Sequence, residues 1–225
     1  NWRREYFPNY KHGRRKDRKA STLDWGSIFD TLHLIKTELQ NNFPYKVLEV
    51  ENAEADDIIA SVVRYVSESP SHYEKVLIVS GDKDFIQLQK HNFVTQYSPV
   101  LKKFVNGTDP EVYIKEHILK GDRSDGVPNF LSPDDTFVNE MRQRPISKKK
   151  LATWIDLEPE DFCNEEMLRN YQRNRTLIDL EYAPTEIHNA CVDTYLNSTV
   201  NDRSGLLNYF IKHRLKNHME NIGDF

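Results

Sequence analysis

The stretch Lys75–Asp84, KVLIVSGDKD, decides the fold class of this chain. Its first six residues, KVLIVS, contain the continuous apolar run Val76–Val79, which is the pattern of a strand buried on both faces in a parallel sheet. Gly81 turns the chain at the end of this run, and a helical pattern begins at Phe85. A strand that ends at a glycine turn and leads into a helix is typical of α/β proteins.

The segments on either side continue this alternation. Short strands are predicted over 46–50 and 94–98, a helix is predicted over 53–67, and Asn106-Gly107 indicates a turn after a further strand at 101–105. The other periodic segments are helical, at 24–41, 109–120, 147–156, 164–178, 184–196 and 204–220. The pattern therefore predicts an α/β core with a parallel sheet, followed by a helical region from about residue 120.

Charge is unevenly distributed along the 225 residues. Residues 1–19 contain eight Lys or Arg and two acidic residues, a net charge of +6, and the total of −4 leaves −10 for the remainder. A basic segment on an acidic body suits a protein that binds phosphate at one edge and holds cations elsewhere. A solvated or disordered basic arm explains the same segment equally well.

Composition excludes several classes of protein. The sequence has no run of about 18 apolar residues, so no membrane span is predicted, and it has no recognisable signal peptide. Cys163 and Cys191 have neither the spacing of metal ligands nor the density of a disulfide framework. We therefore expect a reduced, cytoplasmic environment.

Three acidic clusters carry the predicted chemistry. Glu54-Ala55-Asp56-Asp57 opens the helix after the first strand, Gly81-Asp82-Lys83-Asp84 follows the KVLIVS run, and Gly121–Asp125, GDRSD, follows the helix at 109–120. Because chemistry gathers at the carboxyl ends of parallel strands, we expect the first two clusters to lie close together. Oxygen ligands without His or Cys favour Mg²⁺ or Mn²⁺, and two such ions can promote hydrolysis of a phosphodiester.

Each cluster also has a plain structural explanation. The first could stabilise a helix N-terminus, the second could cap a turn, and the third could be a solvated loop. The coincidence of the clusters at one side of one sheet favours the metal site over these separate explanations. Asp57 is predicted to cap the helix or to support its neighbours.

Four motifs, in this order, resemble those of the 5′-3′ exonuclease and flap endonuclease family, which includes the 5′-nuclease domain of bacterial DNA polymerase I. They are Trp2–Arg14 (WRREYFPNYKHGR), the Glu54–Asp57 cluster, Ser80–Phe85 (SGDKDF) and Lys120–Asp125 (KGDRSD). The late stretches Arg175–Leu180 and Tyr182–Pro184 resemble the C-terminal helices of phage members of the family. The resemblance covers essentially the whole chain.

The resemblance implies a PIN-like α/β core with a parallel sheet, here at 21–120 without its first strand. It implies a basic helical arch at 1–20 and an α-helical C-terminal DNA-binding domain at 121–225, which contains a divergent helix-three-turn-helix. The implied function is a metal-dependent 5′-3′ exonuclease and 5′-flap endonuclease with ribonuclease H activity. Such an enzyme removes RNA primers or flaps from duplex 5′ ends during DNA replication.

The resemblance also implies the cofactors, ligands and partners. Two Mg²⁺ or Mn²⁺ ions would be bound, the first by Glu54, Asp56 and Asp82, and the second, partly through water, by Asp84, Asp122 and Asp125. The substrates would be RNA–DNA hybrids and 5′-flapped or forked duplex DNA. A phage single-strand DNA-binding protein would be a partner, in the host cytoplasm.

Basic residues take the remaining implied roles. Arg3, Lys11 and Arg14 would lie at the base of the arch and contact the scissile or a neighbouring phosphate. Lys11 and Arg14 are three residues apart, so one helical face would present both. Either base stacking or packing within the arch is expected of Tyr6, Phe7 and Tyr10. Further nucleic-acid contacts are predicted for Arg4, Tyr10, Arg15, Lys16, Lys83, Lys120, Lys148, Lys149 and Lys150.

Two features depart from the family pattern. The family places its first catalytic Asp residues on an early strand and just before the arch, so this chain is expected to lack two ligands and that strand. On this expectation it binds branched DNA weakly and cleaves it poorly. Val127–Asp135 has no Gly-rich hairpin to bind duplex phosphate, and Lys148–Lys150 could supply charge instead, or simply form a solvated helix start.

Two other functions are compatible with the acidic clusters. A PIN-type single-strand ribonuclease also has acidic residues at strand ends, although the arch signature and the pair Asp122 and Asp125 argue against it. A structure-specific DNA-binding module without catalytic activity is the second alternative, if the upstream acids are essential.

Overall fold

The computed structural model describes residues 1–69 and 75–225, with the side chain of Arg15 left out. Its helices are α1 (Trp2–Tyr6), α2 (His12–Ala20), α3 (Trp25–Asn42), α4 (Ala55–Glu68), α5 (Pro110–Lys120), α6 (Lys148–Ile155), α7 (Pro159–Phe162), α8 (Glu165–Ile178), α9 (Thr185–Asn197), α10 (Leu206–Lys212) and α11 (Lys216–Glu220). The strands are β1 (Val76–Val79), β2 (Val94–Ser98) and β3 (Lys103–Phe104), and 3₁₀ helices cover Lys83–Lys90, Leu180–Tyr182 and Ile222–Asp224.

The strands form one sheet in the order β1-β2-β3. β1 runs parallel to β2, and β3 runs antiparallel to β2, so the sheet is mixed. One face of the sheet packs against α4 and the 3₁₀ helix that follows β1. The buried cluster between these elements contains Ala60, Val63, Ile78, Phe85, Leu88, Val94 and Leu180. The predicted α/β class is confirmed.

The strand predicted from KVLIVS is present, but its predicted burial on both faces is wrong. Ile78 is buried, whereas Leu77 and Val79 are 54% and 61% exposed. β1 is hydrogen-bonded to β2 alone in the described sheet, and only its inward face meets the core. The strand predicted over 46–50 is absent, because no described segment pairs with it.

Two further boundaries differ from the prediction. The hairpin forms between β2 and β3, but its turn lies at 99–102, where Lys102 has a φ of +51°, and not at Asn106-Gly107. The helix predicted over 204–220 is broken into α10 and α11. Arg214, between them, has a φ of +56°, which no helical residue adopts.

The chain folds as two compact units. The first comprises Asn1–Ala20 and Val50–Val192, and the second comprises Ser21–Glu49 and Asp193–Phe225. This grouping differs from the predicted segments 1–20, 21–120 and 121–225. The reason is that Phe43 packs against Leu206 and Phe210 in the core of the second unit. Among the described residues, no helix has the length and apolarity needed to cross a lipid bilayer.

A buried ion pair attaches α1 to α4. Arg3 is 2% exposed, and its Nη1 donates a hydrogen bond of 2.9 Å to Oδ2 of the fully buried Asp57. Nε of Arg3 donates to the Leu177 carbonyl at 2.9 Å, which adds the end of α8 to the connection. Asp57 also accepts from Trp2 Nε1 and, at 2.8 Å, from the backbone N–H of Glu54. The last contact caps α4, as predicted for Asp57.

Replacing Asp57 with Ala tests this connection. We expect Asp57→Ala to lower the free energy of unfolding by about 3–5 kcal/mol, because Arg3 becomes an uncompensated buried charge. Denaturant unfolding followed by circular dichroism measures the loss. The control is Glu68→Ala, which removes an exposed ion pair with Arg64 on the same helix and should cost about 0.5 kcal/mol or less. Similar small losses in both variants would contradict the assigned role.

Candidate functional site

Five of the six predicted metal ligands line one small pocket in the first unit. The pocket encloses about 20 Å³, and its acidic residues are Glu54, Asp56, Asp84, Asp122 and Asp125. They come from the start of α4, the 3₁₀ helix after β1 and the loop after α5. The structure thus brings the three acidic clusters together.

Local hydrogen bonds hold the turn after β1. Oδ1 of Asp82 accepts the Asp84 backbone N–H at 3.0 Å, so Asp82 caps the 3₁₀ helix that carries Asp84. Ser80 Oγ accepts the Asp82 backbone N–H at 3.1 Å. Asp82 itself is more exposed than Asp84 and is not part of the pocket wall, but its charge raises the pKa of Asp84.

The loop after α5 depends on a glycine. Gly121 has a φ of +68°, and a Cβ at this position would lie 2.5 Å from the Val127 carbonyl oxygen. Only glycine therefore permits the turn that places Asp122 and Asp125 over the pocket. Asp122 Oδ1 accepts from the Ser124 backbone N–H and hydroxyl at 2.7 and 2.8 Å, which fixes the turn.

The pocket holds more negative charge than its surroundings neutralise. Burial and then the neighbouring charges of Asp82 and Glu54 raise the pKa of Asp56 to about 6. Burial and then the charges of Asp82 and Asp122 raise the pKa of Asp84 to about 7. Both shifts show that the site would be stabilised by added positive charge.

Side chains of the N-terminal segment pair with the pocket carboxylates of Glu54 and Asp125. Lys11 Nζ lies 2.5 Å from Glu54 Oε1 and 3.5 Å from Asp125 Oδ2, and Arg14 Nη2 lies 2.7 Å from Asp125 Oδ1. The Tyr10 hydroxyl lies 2.9 Å from Glu54 and 2.7 Å from Asp125. Burial alone would raise the pKa of Glu54, but these partners hold it below its usual range.

The donor set fits a hard divalent cation. All five pocket acids offer carboxylate oxygens, and Asp56 and Asp84 lack a Lys or Arg partner within 4 Å among the described residues. Within residues 1–69 and 75–225, no three His, Cys, Asp or Glu side chains already surround a point at coordinating distance. The carboxylates therefore share a pocket and do not form a closed cage, and a cation of the Mg²⁺ or Mn²⁺ type matches their chemistry.

The basic residues predicted at the arch base take different positions. Lys11 is not helical, because its φ is +55° and α2 begins at His12, so the predicted shared helical face with Arg14 is wrong. Both side chains nevertheless reach Asp125. Arg3 is buried, with its guanidinium 2.8 Å from Asp57 and 3.7 Å from Glu54, and it lines the acidic pocket.

The three aromatic residues Tyr6, Phe7 and Tyr10 differ in exposure. Phe7 and Tyr10 are 3% exposed and pack in a cluster with Val127 and Leu177, so both rings are buried, against residues outside 1–20 and not within the arch. Tyr6 is 52% exposed and remains accessible.

The other predicted nucleic-acid contacts lie at the surface. Lys16 pairs with Glu140 and Lys120 pairs with Glu116, whereas Arg4 donates from Nε to the Tyr10 carbonyl at 3.3 Å. The remaining exposed members of the predicted set are Lys83, Lys148, Lys149 and Lys150. The side chain of Arg15 lies outside the described atoms. None of these residues lines the acidic pocket, and their DNA contacts stay a prediction.

One residue of the site was missed in the sequence. His117 of α5 lies with Nδ1 3.5 Å from Asp84 Oδ1 and with Nε2 3.8 Å from Asp122 Oδ2. Burial lowers its pKa despite the neighbouring carboxylates. The available signal was its position one helical turn before Gly121, which places it beside the third acidic cluster.

Comparison with known proteins identifies the class to which this fold and pocket belong. Residues 1–119 match the family model of the 5′-3′ exonuclease N-terminal, resolvase-like domain, and residues 108–225 match the model of the T4 RNase H C-terminal region. The chain therefore belongs to the 5′-3′ exonuclease family. This membership confirms the predicted class of protein, a nuclease of the 5′-3′ exonuclease type.

Particular relatives come from phages and bacteria. The chain is 33% identical, over its whole length, to Ribonuclease H of Enterobacteria phage T4, and the match covers 75% of that protein. It is 26% identical to DNA polymerase I of Bacillus caldotenax over 76% of this chain and 19% of that longer protein. The first match confirms the predicted similarity to phage members of the family.

Solved structures support the fold. Bacteriophage T5 5′-exonuclease with bound zinc has a TM-score of 0.57 at 19% identity, covering 87% of this chain and 79% of that one. A bacteriophage T5 flap endonuclease in complex with DNA and metal ions has a TM-score of 0.52 at 19% identity, covering 85% and 72%. At this identity the likeness establishes the fold alone.

Neutralising Asp84 should stabilise the metal-free protein. The pKa of Asp84 is raised in the folded state, so the folded protein binds more protons than the unfolded chain between about pH 4 and 7. The free energy of unfolding should therefore fall as pH rises through this window. Asp84→Asn should flatten that dependence and add roughly 1–3 kcal/mol at pH 8 in EDTA.

Urea unfolding at pH 5, 6.5 and 8 measures this effect. The control is Asp161→Asn, which changes an exposed carboxylate on α7 outside the pocket and should leave the pH dependence unaltered. If Asp84→Asn is less stable than the parent at pH 8, the carboxylates of the pocket do not repel one another as assigned.

Proposed function

We propose that this protein hydrolyses phosphodiester bonds at or near the 5′ ends of RNA–DNA hybrids and flapped duplex DNA, with two Mg²⁺ or Mn²⁺ ions in the acidic pocket. One observation carries the proposal: carboxylates from three separated segments converge on one pocket and lie beside basic side chains of the N-terminal segment. A binding module has no need to bury mutually repelling carboxylates, whereas a metal-dependent hydrolase has.

The ion pairs of the pocket residues indicate which of them hold the ions and which contact the phosphate. Asp56 and Asp84, which have no Lys or Arg partner within 4 Å among the described residues, are the principal candidates to hold the ions, with Asp82, Asp122, Glu54 and Asp125 around them. The ions, when bound, supply the charge that activates water and stabilises the leaving oxygen. Lys11 and Arg14 are positioned to contact and orient a phosphate that approaches the pocket.

The descriptions of two relatives support the proposed substrates. The phage T4 relative is a Ribonuclease H, and a phage T5 structural neighbour is a flap endonuclease in complex with DNA and metal ions. These descriptions favour 5′-flapped DNA and RNA–DNA hybrids as substrates of this chain. A phage single-strand DNA-binding protein as partner, the divergent helix-three-turn-helix and the host cytoplasm stay predictions.

Removing a metal-holding carboxylate should separate cleavage from binding. Asp56→Ala should reduce cleavage of a 5′-flapped duplex in Mg²⁺ at least a hundredfold, and Asp82→Ala should do the same, because each takes away negative charge that holds the ions. Binding of the same duplex, measured in Ca²⁺ or EDTA by fluorescence anisotropy, should be retained. The matched control is Glu165→Ala, an exposed carboxylate on α8 that does not line the pocket. Parental cleavage by Asp56→Ala would contradict the ligand assignment.

Removing the Lys11 ammonium should strengthen the binding of divalent ions and weaken the interaction with DNA. Its ammonium competes with divalent ions for Glu54, so Lys11→Ala should tighten Mn²⁺ binding to the DNA-free protein about threefold or more. The same change should slow cleavage and reduce the log–log salt slope of DNA binding by about one. Lys16→Ala is the control, since Lys16 pairs with Glu140 and does not line the pocket, and its Mn²⁺ affinity should match the parent. Weaker Mn²⁺ binding by Lys11→Ala would show that Lys11 does not compete with the ion.

A further inference from the structure

A buried glutamine lies directly beneath the turn that carries Asp82 and Asp84. Gln96 is in the middle of β2 and is 1% exposed. It points to the same inward face as Val94 and Ser98, where a strand residue packed on a core is usually apolar. A buried amide costs free energy unless its hydrogen bonds are made, so its partners reveal what it does.

Every polar atom of this side chain has a partner. Nε2 donates to the Ser80 carbonyl at 2.9 Å and to the Asp82 carbonyl at 2.6 Å, and Oε1 accepts from Gln89 Nε2 at 3.0 Å. The two backbone carbonyls can only accept, so the amide nitrogen must face them. Both amide hydrogens are thus used on the backbone of a single turn.

The turn makes its other hydrogen bonds through its own side chains and through the backbone of β2, where the Ser80 N–H donates to the Tyr97 carbonyl at 3.0 Å. Ser80 Oγ and Asp82 Oδ1 accept the backbone N–H groups of Asp82 and Asp84. These side chains satisfy donors, whereas Gln96 satisfies the carbonyls of Ser80 and Asp82. A Cβ at Gly81 would lie 3.2 Å from Ser98 Oγ, so this part of the turn also lies close to the inward face of β2. The turn is therefore attached to β2 by the Ser80–Tyr97 backbone hydrogen bond and by Gln96, which is the side chain of β2 that bonds both carbonyls.

We propose that Gln96 is a positioning residue for the divalent-metal site, which fixes the backbone of the turn so that the carboxylate of Asp84 faces the pocket, with Asp82 beside it, before any ion binds. The inference rests on the proposed function, because it concerns the same site. Gln96 touches neither the ion nor the substrate. It acts through the carbonyls of Ser80 and Asp82, and outer partners of this kind typically change metal affinity by about 10- to 100-fold when they are lost.

Gln96→Met tests the proposal, because methionine keeps a similar shape and removes both donors. Mn²⁺ binding to the DNA-free protein is measured by the electron paramagnetic resonance signal of free Mn²⁺. We expect Gln96→Met to weaken Mn²⁺ binding about tenfold and to move the Mg²⁺ midpoint of cleavage upward by a similar factor, with excess Mg²⁺ partly restoring the rate.

Val94→Ala is the matched control. Val94 lies on the same inward face of β2, two residues earlier, and contributes to the core without bonding the turn. The folded Val94→Ala protein should lose stability but keep parental Mn²⁺ affinity, so a general loosening of the sheet is distinguished from loss of the turn's support.

A milder variant covers the case in which Gln96→Met does not fold. Gln89→Leu removes the amide that holds Gln96 Oε1 and should weaken Mn²⁺ binding about twofold to threefold. Parental Mn²⁺ affinity in folded Gln96→Met, or in Gln89→Leu if the first variant is unfolded, would overturn the proposal. Absence of Mn²⁺ binding by the parent would instead overturn the proposed metal site, so the two failures are distinguishable.

Discussion

Repulsion among carboxylates in one small pocket is the constraint on which the rest of the site depends. Coulomb repulsion between like charges grows as water is excluded, so five acids around about 20 Å³ cannot all remain ionised without positive charge nearby. The structure supplies that charge unequally. Lys11 and Arg14 reach Glu54 and Asp125, whereas Asp56 and Asp84 have raised pKa values. The side with the raised pKa values is where we propose that divalent ions bind.

The scaffold brings these acids together through buried polar contacts. Arg3 and Asp57 connect α1, α4 and the end of α8, and this connection places the N-terminal segment against the pocket. Gly121 allows the loop after α5 to turn sharply, and Gln96 supports the turn after β1. Arg3 also lies 3.7 Å from Glu54, whereas the contacts of Gly121 and Gln96 act on the backbone alone. The fold therefore stabilises an arrangement that the carboxylates alone would oppose.

Much of the site could be predicted from the sequence, because clusters at strand ends and helix starts have recognisable spacing. The three acidic clusters converge as expected, and Asp57 caps α4. The burial of Arg3 could not be predicted, because the sequence does not distinguish an arginine at the surface from one that is buried and paired with a carboxylate. Gln96 was missed for a similar reason, because its role depends on which carbonyls lie above β2. The burial of β1 was overestimated, since an apolar run does not reveal how many neighbours its strand has.

The central claim is that divalent ions complete the charge of this pocket, and the unfolding midpoint of the DNA-free protein tests it most directly. Thermal unfolding would be followed at pH 8 over a range of Mg²⁺ concentrations, with NaCl adjusted to hold ionic strength constant. The account predicts that the midpoint rises steadily with Mg²⁺ in the parent and does not respond in a variant that carries both Asp56→Asn and Asp84→Asn. A parental midpoint that is independent of Mg²⁺, or an equal rise in the double variant, would contradict it.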